Sequence, residues 1–136
     1  VPEKTLPEIK LVIPGEPEYL GLVRLASAGV AHQLQLDAEI SDDLKLVATE
    51  ACGKVLAHGS REICICWSWD EHALHLAVTA SGDEVASTEA DSADDDSSSD
   101  WEEIGLLLIT SLMDEVKTIN SPVGLRATKY LTVYDE

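Results

Sequence analysis

The sequence predicts an α+β fold, a two-layer α/β sandwich with a mostly antiparallel mixed sheet and three helices on one face. Three observations carry this expectation. Apolar residues recur at helical spacing in three stretches, and the period changes to two over EICICWSWD and ALHLAVTA. The elements run strand, helix, helix, strand, strand, acidic loop, helix, strand, strand. That order contains hairpins and too few strands and helices for a doubly wound sheet.

The first strand is IKLVIP, closed by Pro14 after a loose Pro-containing lead-in. A helix follows from about Glu18 to Leu34, with Leu20, Val23, Ala26 and Val30 on its apolar side. Ser41 has the chemistry of an N-cap for the second helix, and Asp42 and Asp43 behind it complement the helix dipole. That helix turns Leu44, Val47, Ala48, Ala51 and Val55 inward and stops near His58-Gly59. In the next strand Ile63, Ile65, Trp67 and Trp69 share a face, Asp70 to His72 make the turn, and ALHLAVTA returns. His72 and His75 are expected on opposite faces of that strand.

Ser81 to Asp100 is a low-complexity run of Ser, Asp, Glu and Ala. It buries too little apolar surface to offset its ordering entropy, and is expected to be a mobile, lid-like loop. Asp100 is the candidate N-cap of the third helix, which places Glu102 and Glu103 in its first turn. Apolar residues nearly surround this helix, so it is expected to be deeply packed. VKTINS and GLRATKYLTVYD then form two strands joined at Ser121-Pro122.

The 136 residues suit one domain, 1–136, with one core. A net charge of -17 opposes binding to nucleic-acid phosphates and anionic membranes, and favours basic protein partners. Cys52, Cys64 and Cys66 are an odd and sparse set, which makes no disulfide framework and suits a reducing cytoplasm. No set of Cys, His or carboxylates has metal-ligand spacing, so no metal is expected. No charged-then-apolar leader is present, and no apolar run is long enough to span a bilayer.

Three stretches carry a family resemblance across about Ile9 to Leu131. They are IPGEPEYLGLVRLASAGVA, DDLKLVATEACGKVLAH, and IGLLLITSLMDEV followed by GLRATKYL. In order and separation they resemble the Bergerat-fold (histidine-kinase-like) ATPase domains, and most closely the bacterial anti-sigma factor serine kinases of the RsbW type.

The resemblance implies site residues one by one. Glu50 matches the general base of the family's N-box helix. Lys54, one turn on, stands where the family has the Asn that binds Mg²⁺. An ammonium group is a donor only and cannot ligate the metal. It can pair with Glu50 as an ordinary helix-surface ion pair, or contact a phosphate directly. Gly82 fits the Gly of the adenine-reading motif, but Ala80 replaces its Asp and accepts no hydrogen bond. Only Gly105 remains of the Gly-rich phosphate turn, with Glu102 and Glu103 beside it. Thr128 matches a Thr that lines the adenine pocket, and Tyr19 and Arg24 lie in the family's partner-binding helix.

With losses at three separate places, the resemblance implies a regulatory protein that binds a sigma factor and/or an anti-anti-sigma protein, as a cytoplasmic homodimer, without ATP or Mg²⁺. The alternative is an active serine-protein kinase with a remodelled site that uses both.

Overall fold

The computed structural model describes residues 6–81, 96–120 and 123–131. Strand β1 (Glu8–Pro14) leads through a 3-10 turn (Pro17–Tyr19) into α1 (Leu20–Gln33) and α2 (Ala38–Ala57). The hairpin β2 (Glu62–Trp69) and β3 (Ala73–Ser81) follows. Helix α3 (Asp96–Leu112) and the hairpin β4 (Glu115–Asn120) and β5 (Val123–Tyr130) complete the order.

The sheet runs β1-β2-β3-β5-β4. All four pairings are antiparallel, so the parallel component of a mixed sheet is missing among the described residues. Each hairpin pairs with itself, and β5 then adds beside β3, the central strand.

Alternation decides what each strand buries. Ile63, Ile65 and Trp67 of β2, Leu74, Leu76 and Val78 of β3, and Leu125 of β5 are fully buried under the helices. Cys64, Cys66, His75, Arg126 and Thr128 take the alternate positions and so occupy the opposite face. Helix α2 is the centre of the helical layer. Its buried Ala48, Ala51 and Cys52 are small enough to let it approach the sheet closely, with Leu44, Val47 and Val55 filling the gaps. Both α1 and α3 pack against α2.

Turn chemistry fixes the ends. Gly59 takes a left-handed φ of 79° just beyond the His58 cap of α2, a conformation that costs other residues more. A Cβ at Gly15 would collide with the Ser60 carbonyl, because the Gly15 amide donates to Arg61 O at 2.8 Å. In the β2–β3 turn, Asp70 Oδ1 accepts from the amides of His72 (2.7 Å) and Ala73 (2.9 Å). Those two donors hold its carboxyl below the usual range.

Several expectations change. The N-cap of α2 is Asp37, whose Oδ1 accepts from the Ile40 amide at 2.9 Å, and Ser41 lies inside the first turns. A carboxylate cap with Glu39 in the first turn starts the helix three residues before Ser41. α3 begins at Asp96, so Asp100 lies within it and the loop expected over 81–100 is shorter at its end. Residues 82–95, the rest of that loop, lie outside the described residues. α3 is also not deeply packed all round. Ile109 is fully buried, but Ile104 and Leu107 are 65% and 68% exposed, because only one side of the helix meets α2. His72 belongs to the turn rather than the strand, so it does not share β3 with His75.

Candidate functional site

The best-matched stretches of sequence meet at the C-terminal end of α3. The Asp114 amide donates to Thr128 O at 2.8 Å, and Asp114 Oδ2 accepts from the Tyr130 amide at 2.6 Å. Lys129 Nζ donates to the Leu112 carbonyl at 3.1 Å, where a cation suits the negative end of the helix. LMDEV and TKYL are thus two halves of one clamp that fixes α3 against the sheet. Asp114 and Lys129 were not expected to act together. Each reaches across from one element to the other, Asp114 to the Tyr130 amide and Lys129 to the Leu112 carbonyl, and contacts of that kind have no local signal.

Glu50 and Lys54 lie one turn apart in the second half of α2, and both are half-buried. An added Cβ at Gly105 would stand 3.0 Å from Glu50 Oε1. The bare glycine therefore lets α3 approach the Glu50 carboxylate, which brings Glu50 and Gly105 together. Any larger residue at 105 would push against that oxygen.

Lys54 lines a cavity of about 180 Å³ with Val55, His58, Thr118, Ile119, Val123 and Gly124. Lys54 and His58 are four residues apart, so both reach the cavity from one face of α2. Gly124 pairs with Thr79, the residue before Ala80, so Ala80 lies at the same end of the sheet. Ala80 is 8% exposed on the helix-covered face, where its methyl group joins the core. An Asp there would meet the helix layer, but alanine offers no acceptor.

Thr128 is elsewhere. It lies on the uncovered face of the sheet, where its hydroxyl is 3.2 Å from His75 Nδ1. The β-strand alternation that buries Leu125 and Ala127 turns Thr128 away from Glu50 and Lys54. Gly82 lies outside the described residues. Glu102 and Glu103 are in the second turn of α3 rather than its first, since the helix starts at Asp96. Gly105 is therefore inside a continuous helix, and its amide belongs to the intrahelical ladder rather than to an open phosphate turn.

Of the residues expected to bind a partner, Arg24 is exposed on α1 between Leu22 and Leu25, themselves 50% and 70% exposed. Tyr19 is half-buried against the core at the start of that helix. The sequence reading missed the two leucines. Their positions, i and i+3 on the side opposite Val23, Ser27 and Val30, are the signal that finds them.

Residues 13–128 match the histidine kinase-like ATPase domain family. The serine-protein kinase RsbW of Bacillus velezensis is 33% identical over 139 aligned positions, covering 90% of this chain and 85% of that protein. The Bacillus subtilis protein of the same name is 31% identical with the same coverage. A chain of the SiaB–SiaC complex from Pseudomonas aeruginosa has the same fold, with a TM-score of 0.60 at 13% identity over 90% of this chain and 88% of that one. With its order of strands and helices, its Glu50 beside Gly105 and its relatives of matching length, this chain belongs to the RsbW-type histidine kinase-like ATPase domain family.

Proposed function

We propose that this chain is an anti-sigma-type regulatory protein that acts by holding a protein partner and has lost phosphoryl transfer. The continuous helix through Gly105 carries the reading. A phosphate turn works because its backbone amides are unpaired and converge on the phosphates. In α3, which starts at Asp96, the amides around Gly105 lie two turns in and are committed to the intrahelical ladder. Lys54 adds to this, because the position that should supply an amide oxygen to Mg²⁺ carries a donor-only group. Ala80 removes the acceptor that reads adenine.

The partner face is α1, where Arg24 stands between two exposed leucines. Arginine is enriched at interface centres, and the exposed leucines beside it offer apolar surface for a partner to cover. The partner is a sigma factor or an anti-anti-sigma protein, and the protein acts as a cytoplasmic homodimer. Among the described residues no helix is long and apolar enough to cross a membrane.

The second reading is an active serine-protein kinase. The contact between Glu50 and Gly105 favours it, since the base remains beside the place where the phosphate turn would be. Titration of a fluorescent ATP analogue with Mg²⁺ separates the two. The pseudo-kinase reading expects no Mg²⁺-dependent binding by the wild-type protein, and none after Lys54→Asn, because the helix and Ala80 are unchanged. Micromolar, Mg²⁺-dependent binding to the wild type would establish the kinase reading instead.

A further inference from the structure

The sheet face turned away from the helices holds a second cavity, of about 480 Å³. Ser68, His75, Thr128, Lys117, Arg126 and Glu115 supply its polar lining. Its volume falls in the range of roughly 300–1,000 Å³ usual for small-molecule sites. The sheet lies between this cavity and the one at Lys54, so the two are separate.

The charges at this second cavity are unusual for the chain. Lys117 and Arg126 are direct cross-strand partners in the β4–β5 register. Like charges directly opposite one another destabilise a sheet. With 26 carboxylates against 9 lysines and arginines, nearly every cation could be given an acidic neighbour. The ion pairs among the described residues are Lys10–Glu8 and Lys45–Asp42, and neither involves Lys117 or Arg126. Glu115, the acid nearest in the lining, accepts a hydrogen bond from the Tyr130 hydroxyl. Two cations thus face one another, and among the described residues no carboxylate forms an ion pair with either.

A doubly charged anion seated between them would turn that repulsion into attraction. The guanidinium group gives a planar fork suited to two phosphate oxygens, and the ammonium group adds a compact charge. The hydroxyls of Ser68 and Thr128 add neutral donors, with His75 hydrogen-bonded to Thr128. Ala77 in the floor leaves the space open. We propose that this cavity binds the phosphate group of a small phosphomonoester. The site is independent of the nucleotide end of the fold and does not rest on the function proposed above.

Calorimetric titration with inorganic phosphate at constant ionic strength tests the proposal, with acetate as a second ligand. Wild-type protein should bind phosphate more tightly than acetate. Arg126→Gln should weaken phosphate binding by at least about tenfold, the factor that accompanies loss of one strong charge-assisted contact. Lys117→Glu places an opposite charge across from Arg126, so it should melt no lower than the wild type and yet lose phosphate binding. Lys54→Ala should bind phosphate as the wild type does. Equal binding by the wild type and Lys117→Glu overturns the proposal, as does loss of binding in Lys54→Ala alone. A preference for acetate, or no heat at millimolar phosphate, overturns it too.

Discussion

Ile109→Ala tests how α3 is held. Ile109 is fully buried, whereas Ile104 and Leu107 on the same helix are mostly exposed. The substitution removes three carbon groups from the core. At about 0.8 kcal/mol for each, the transfer cost is roughly 2.4 kcal/mol. Incomplete collapse of the cavity raises the total to about 3–4 kcal/mol. Domains of this size have stabilities of roughly 5–15 kcal/mol, so the loss is a large part of the whole. The melting temperature should fall by about 10 °C. Leu107→Ala should change stability by no more than about 0.5 kcal/mol, since the side chain is already in water. Urea unfolding of both variants, monitored by circular dichroism, gives the comparison. Equal losses for the two would mean that α3 is packed on both sides and that its exposed face is covered, which would refute the one-sided packing.

Two further predictions follow from burial and exposure. Burial pushes the Cys52 thiol from 9.0 up to about 12, so the folded protein holds a proton that the unfolded chain releases above pH 9. Folded protein then binds more protons than unfolded protein, and stability should fall as pH rises from about 9 towards 12, by up to about 1.4 kcal/mol per pH unit from this group. Cys52→Ala should flatten the decline measured by urea unfolding between pH 9 and 11, and an unchanged slope would count against it. Leu25→Asp, at a position 70% exposed, should leave the melting temperature within a few degrees of the wild type. If α1 is the dimer face, the same change should turn a dimer into a monomer in sedimentation experiments, and a persisting dimer would exclude that face.

Much of the fold was legible because its signals are local. The alternation in EICICWSW set the buried side of β2 before any contact was known, and the stop at His58-Gly59 followed from the need for a left-handed residue. The start of α2 was misplaced because Ser41, Asp42 and Asp37 are all chemically able to cap. Which of them does so depends on where the chain leaves α1. α3 was expected to be surrounded by protein because an apolar sequence cannot say which of its sides has a neighbour.

The candidate site divides along the same line. The sequence by itself determined the family, and it put Lys54 and Ala80 at the positions where the resemblance implies a metal-binding amide and an adenine-reading carboxylate, since identity and spacing are properties of the chain. Only the tertiary structure decided that Gly105 meets Glu50, that Asp114 and Lys129 clamp α3, and that Thr128 faces away from both. It also set Lys117 against Arg126, a pairing fixed by the register of a hairpin. The physical reason is the same in each case. A residue's chemistry is carried locally, but the groups it meets are set by strand register and helix packing, which depend on the whole fold.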